Sequence, residues 1–234
     1  MAIPDIKLIR SKRRTLSLEI REDLEVQVRA PRWVAESEIA RFIESRRAWI
    51  EKARREVQRR RAVLQGSHEG GLYWNGQIFP FHPSAELPER FRFFKDRFLI
   101  HPLWINDAEK TAEVWFRKQA ALILETRLGE LTRSTGLTCR RFRLGSARTR
   151  WGSCSHSGTI TLHWRLLWVP DWVRDYVIFH ELCHLRHLDH SHAFWKTLAT
   201  MCPDTRRACL WLKEHAGILT LKIARPTNSS ELNS

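Results

Sequence analysis

The chain reads as an α+β protein, and three observations predict that class. Residues 5–30 alternate apolar and polar side chains in the manner of strands. Residues 36–64 and 107–134 repeat apolar side chains at helical spacing instead. Apolar residues make up 43% of the 234, with eleven Trp and eleven Phe, enough bulk for one core or two small ones.

In chain order, Ile6-Lys7-Leu8, Leu16-Ser17-Leu18-Glu19-Ile20 and Val26-Gln27-Val28 are the first strands. Asp23 falls at a turn between the second and third, and Pro31 ends the set. From residue 36 to about 64 the pattern predicts one helix with Ile39, Phe42, Ile43, Trp49, Ile50, Ala53 and Val57 near one face. Its other face is Arg46, Arg47, Lys52, Arg54, Arg55, Arg59, Arg60 and Arg61. Such a run is first a solvated face and second a contact surface for phosphates or an acidic partner. After a loop at 66–71, residues 72–82 and 91–101 predict short strands broken by Pro80, Pro83, Pro88 and Pro102. Tyr73, Trp74, Phe79, Phe81, Phe91, Phe93, Phe94 and Phe98 supply their core.

A second region opens near Asn106. Residues 107 to about 134 form a long helix, apolar at Val114, Trp115, Ala121, Leu122, Leu128 and Leu131, with Gly136 placed to stop it. Strands at 140–144 and 159–164 flank a turn at 152–158. Pro170 and Asp171 open the next helix, with Asp171 as its cap. Further helices are expected at about 191–201 and 204–216, and a frayed tail at 225–234.

The charge balance, 40 Lys+Arg against 26 Asp+Glu for a net of +14, suits a polyanionic partner, nucleic acid included, or serves solubility alone. Five cysteines (139, 154, 183, 202 and 209), with no C-x-x-C pair, suggest free thiols in a reducing compartment. The first thirty residues lack the apolar stretch of a signal peptide. No uncharged apolar run approaches the roughly 20 residues that span a bilayer. A cytoplasmic location without a membrane partner is the expectation.

The chemistry concentrates at His180-Glu181-Leu182-Cys183-His184. Two histidines four apart on a helix stand about one turn, roughly 6 Å, from each other and leave the same face, where both can grip one ion. Glu181, turned about 100° from His180, projects beside the ion, where a carboxylate can take a proton from metal-activated water. Zinc is the expected ion, with nickel, manganese and cobalt as other candidates. The preceding 172–179 stretch is bulky and apolar, so the helix is buried. Spacing leaves His187, His190 and His192 as candidates for the third ligand, with His190 favoured modestly over His187. On a continuous helix His190 lies roughly 9 Å past His184, out of reach. It is favoured if the helix ends near 186–188, and Asp189 or Ser191 then caps the next helix. Arg148 and Arg150, read as lying on a strand, are candidates for binding a carboxylate or phosphate oxyanion, or for pairing with Asp171 or Asp175. Cys154 and Cys183 read as packing residues.

Taken together, Arg150-Trp151-Gly152-Ser153-Cys154-Ser155, the 159–166 strand with Pro170, Asp175-Tyr176-Val177, the His180–His184 run and His190-Ser191-x-x-Phe194-Trp195 resemble the YgjP-like zinc metallopeptidases, relatives of the SprT-like proteases. Ser11-Lys12-Arg13-Arg14-Thr15, Ala30-Pro31 and Trp49-Ile50 resemble the N-terminal part of that family. The resemblance implies His180, His184 and His190 as metal ligands, Glu181 as the catalytic residue, and a compact gluzincin-like core carrying the motif helix. His163 stands where the family usually has Asn, and reads as a substrate contact or a satisfied core histidine. The expected organisation is a β-rich region with a basic helix at 1–105, a zincin-like metal-dependent hydrolase domain at 106–224 and the tail at 225–234.

Three functions follow as expectations. The first is a metallopeptidase acting on peptide or protein. The second is a nucleotide phosphoanhydride hydrolase (a nucleoside triphosphate pyrophosphatase) using the same metal site. The third is a nucleic-acid-associated protein with a structural zinc, which would need a fourth protein ligand that the sequence does not offer.

Overall fold

The computed structural model describes residues 6–21, 23–66 and 70–227, with side chains described outside 59–66. Residues 67–69 of the expected loop, 228–234 of the expected tail, and the side chains of Arg59, Arg60 and Arg61 lie outside that description. The protein is α+β, as the periodicities predict. Its contacts divide it into Met1–Gln65 and Gly66–Ser234.

The first unit holds β1 (Ile6–Ser11), β2 (Ser17–Ile20) and β3 (Val26–Pro31), followed by α1 (Glu36–Ser45) and α2 (Arg47–Gly66). β3 is central, parallel to β1 and antiparallel to β2. Val26, Val28 and Ala30 pack with Val34, Ile39 and Ile50 to form the core. The single helix expected over 36–64 is two helices, broken at Arg46. Next to the break, the Ser45 hydroxyl donates to the Phe42 carbonyl at 2.8 Å, a side-chain bond that competes with the helical ladder. Trp49, placed on the apolar face by spacing, is 49% exposed, whereas Ile50 is buried.

The second unit opens with β4 (Gly71–Trp74), β5 (Gln77–Pro83), β6 (Phe91–Phe94) and β7 (Arg97–Ile100), in the order β4-β5-β7-β6. α3 (Ala108–Thr135) lies against this sheet through rings: Trp74, Phe91 and Phe98 each contact Trp115 and Phe116. The strands of 71–100 therefore group with the motif-bearing half, and the contact division does not fall at the expected boundary of 105. α3 buries Ala108, Ala112, Phe116, Ala120, Leu124, Leu128 and Leu131. Val114 and Leu122, expected on that face, are 63% and 59% exposed. The alanines, weak as hydrophobic signals, form an i, i+4 row on which neighbouring elements close.

A second sheet carries β8 (Arg141–Gly145), β9 (Gly152–Cys154) and β10 (Thr159–His163), with β10 central, parallel to β8 and antiparallel to β9. The turn expected over 152–158 is thus a strand followed by a tighter turn, in which Gly158 N donates to Ser155 O at 2.9 Å. α4 (Asp171–Cys183), α5 (His192–Met201) and α6 (Thr205–Glu214) complete the unit.

Two anchors set the position of α4. At the β4–β5 turn, Asn75 N and Gly76 N donate to Leu167 O and Trp168 O at 2.8 and 3.1 Å, and Arg174 donates to the Asn75 side chain. Further along, Arg127 of α3 grips both oxygens of Asp175 at 2.8 and 2.7 Å. Pro170 occupies the cap position, and Asp171 lies in the first turn paired with Arg174 instead of capping. Beyond α6, Thr227 N donates to Phe81 O at 2.9 Å, so the first residues of the expected tail are tied to β5. Among the described residues no helix is long and apolar enough to cross a membrane.

Candidate metal centre

α4 is buried along Val173, Tyr176, Val177, Ile178 and Leu182, as its bulky sequence requires. It stops at Cys183, with His184 as its C-cap. Arg186 N and His187 N both donate to Cys183 O, at 3.1 and 3.0 Å, closing the last turn. The chain then folds back: Asp189 Oδ1 accepts from Ser191 N at 3.2 Å, and α5 begins at His192 with Ser191 in the cap position. This early stop returns His190 to the motif.

His180, His184 and His190 present ligand atoms that all lie within 4.8 Å of one another. The Nε2 atoms of His180 and His190 are 3.1 Å apart. Two zinc–nitrogen bonds of about 2.05 Å at a tetrahedral angle place their nitrogens roughly 3.3 Å apart, so the spacing fits such an ion. His184 Nδ1 donates to the His187 carbonyl at 2.9 Å, so Nε2 is the ring nitrogen left to ligate. His187 itself turns away, its Nε2 3.0 Å from Thr197 Oγ1 on α5. His180 Nδ1 lies 3.5 Å from the Tyr176 hydroxyl, which accepts from the Cys209 thiol at 3.0 Å. Burial, aided by the two neighbouring imidazoles, lowers the pKa of His180 to about 4, so it is neutral at pH 7. The fully buried Phe194 ring forms the floor, with centroids 5.0, 4.7 and 4.7 Å from His180, His184 and His190.

Glu181 is buried, at 5% exposure, and lies against β9. A Cβ built on Gly152 would meet Glu181 Oε1 at 2.6 Å and Cγ at 2.7 Å, so β9 approaches this carboxyl as only glycine allows. Burial raises the pKa of Glu181 to about 7, against the opposing pull of Arg150. Burial also raises Cys154 to about 11, with Glu181 adding to the effect, so its thiol stays protonated and non-nucleophilic at neutral pH.

The candidate substrate contacts fare differently. Arg148 and Arg150 lie in the exposed segment between β8 and β9, not on a strand, and Arg150 is near enough to act on Glu181. Asp171 and Asp175 have Arg174 and Arg127 as partners instead. His163 is 3% exposed, and its Nδ1 accepts from Arg165 N at 3.0 Å. Its ring stacks on Trp164, 5.9 Å away, and its pKa falls to about 3 through burial and then Arg165 and Arg117. It is a neutral, buried residue whose ring nitrogen caps the turn at Trp164–Leu167. Sequence reasoning named Tyr176 and Phe194 only within the family-like runs and gave neither a role at the site, although Tyr176, four residues before His180, falls on the same helix face.

Three convergent imidazoles with a buried glutamate beside them, at the end of a helix packed on a small mixed sheet, define a candidate metal-dependent hydrolase. The YgjP-like, metallopeptidase domain family matches residues 14–215, and the chain belongs to that family. Among solved structures the chain is similar to the crystal structure of the metallopeptidase zymogen of Pyrococcus abyssi abylysin. That similarity has 23% identity and a TM-score of 0.35, over 38% of this chain and 92% of that one. No curated protein matches the chain.

Proposed function

We propose that the protein is a zinc-dependent metallopeptidase with His180, His184 and His190 as metal ligands and Glu181 as general base. The observation that carries this reading is the trio of ligand atoms within 4.8 Å, with no fourth His, Cys, Asp or Glu joining them among the described residues. Structural zinc sites close with four protein ligands, whereas catalytic ones keep a position open. A zinc ion held here would supply Lewis acidity and lower the pKa of a water to about 7.

The chain's own residues then do the rest. Glu181, poised near neutrality by burial, takes a proton from the attacking water and delivers it to the departing amide nitrogen. β9 is the edge of its sheet, with no strand beyond it among the described residues, so an extended peptide can pair along Gly152–Cys154 and bring its carbonyl beside Glu181. Arg150, whose charge acts on Glu181, would stabilise negative charge developing on that carbonyl.

Wild type and Glu181→Gln, both loaded with zinc and assayed for metal content, are compared on a casein and peptide panel and on a nucleoside triphosphate panel. Peptide cleavage by wild type, abolished in Glu181→Gln with zinc retained, is expected. Phosphate or pyrophosphate release without peptide cleavage would replace this reading with the phosphoanhydride one. Salt-steep DNA binding unchanged in Glu181→Gln, with neither hydrolysis, would favour a structural zinc.

A further inference from the structure

We propose that the groove beside the histidine cluster is a subsite for acidic side chains, which makes polypeptides with Asp or Glu near the cleaved bond the substrate class. The proposal rests on the peptidase reading above. A cavity of about 360 Å³ is walled by Leu137, Arg140, Ser155, His156, His184 and Arg186, among others. A second cavity of about 570 Å³ shares Leu137 and Arg186 with it and adds Phe179, Lys196 and Met201. Neither wall contains an Asp or a Glu. Among the described residues Arg140, Arg186 and Lys196 make no ion pair with a carboxylate. Elsewhere in the same unit Arg92, Arg97, Arg117 and Arg127 each have an acidic partner that offsets their charge, whereas the charges around this cavity face no carboxylate in its walls.

Position ties the cavity to the reaction. His184 belongs both to its wall and to the metal cluster. Ser155 and His156 directly follow β9, whose Gly152 touches Glu181. A chain extended along β9 advances roughly 3.3 Å per residue, so it reaches the cavity two or three residues from the bond beside Glu181. The helices α3 and α4 also end here, at Gly136 and His184, and their carbonyl ends carry only about half a unit of negative charge each. The full charges of Arg140, Arg186 and Lys196 outweigh them. Leu137, Leu185 and Leu188 give the first cavity apolar walls, and no Phe, Tyr or Trp lines it. That suits a carboxylate on a short aliphatic stem better than a stacked base.

The test uses zinc-loaded full-length protein and matched fluorogenic peptides that differ only by Glu or Gln two and three residues to either side of the cleaved bond. Wild type is expected to favour Glu by about tenfold in kcat/KM on one side, the discrimination typical of a charge-assisted contact. Arg140→Glu/Arg186→Glu is expected to erase or reverse that preference, while Lys118→Glu, the same charge change on a remote part of α3, keeps it. Binding of a fluorescent Glu-rich peptide to Glu181→Gln, followed by anisotropy with a single-stranded oligonucleotide as competitor, reads the groove without turnover. Equal rates on Glu and Gln peptides, or a preference that survives the double reversal, would overturn the proposal while leaving the peptidase reading intact. So would an oligonucleotide that binds the groove in place of the peptide. If no peptide is cleaved at all, the peptidase reading fails, and the binding measurement then decides the groove separately.

Discussion

Gly152 and His163 lie at the same end of the antiparallel strand pair that backs the site, Gly152 facing Leu162, and each supports a prediction. Alanine at 152 would drive its Cβ into Glu181, whose flexible carboxyl is the group that yields. Gly152→Ala should therefore keep its fold and its zinc while losing roughly 100-fold or more in kcat, a loss of the kind set by misplacing a catalytic group by about 1 Å. A variant of unchanged kcat would show that Glu181 does not depend on β9. His163 titrates at about 3 in the folded chain against 6.5 ordinarily. Between those values the unfolded chain binds the extra proton, so this residue's contribution is intact above pH 6.5 and is lost as pH falls toward 3. The loss is on the order of a few kcal/mol. His163→Asn keeps an acceptor for Arg165 N and removes the proton. Its urea midpoint should fall less steeply than that of wild type between pH 6.5 and 4, and parallel curves would sink the assignment.

At the scale of elements, where helices stop matters more than where they run. α4 ends at Cys183, and that stop lets His190 return beside His180. α3 ends at Gly136, whose φ of +66° is the left-handed conformation that L side chains resist. A Cβ there meets nothing within 4 Å, so Gly136→Ala isolates the conformational cost. Thermal or urea unfolding should show a loss of about 1 kcal/mol, and an unaltered midpoint would mean that the helix end relaxes freely. The element boundaries expected from sequence erred where side chains bond locally, as Ser45 does at the break between α1 and α2.

For the whole molecule, metal and stability are linked. An ion that binds the folded chain and not the unfolded one stabilises it by RT ln(1 + [L]/Kd), about 2.7 kcal/mol at a hundredfold excess over Kd. Chelation should lower the Tm of wild type by several degrees, with recovery on adding zinc. Glu181→Gln should respond in the same way, because the carboxyl lies outside the three-histidine cluster, and His190→Ala should respond far less. An equal zinc response in His190→Ala would remove that residue from the ligand set.

The sequence by itself determined what depends on neighbours along the chain. An i, i+4 pair of histidines on an apolar helix must share a face, and alternating Val26, Gln27 and Val28 must straddle a sheet, because backbone geometry sets both periods. The family resemblance was legible for the same reason, resting on short contiguous runs, most of them between 150 and 195. Tertiary structure decided what depends on residues meeting across the chain. Spacing left His187 and His190 open, and the closing turn at Cys183 together with Thr197 on α5 separated them. It also decided that alanines, not Val114 and Leu122, line the buried face of α3, and that β9 rather than a turn covers Glu181. The physical reason is range: helical and strand periods arise within a few bonds, whereas burial, the neutrality of His163 and the gathering of three imidazoles arise only once distant segments exclude water together.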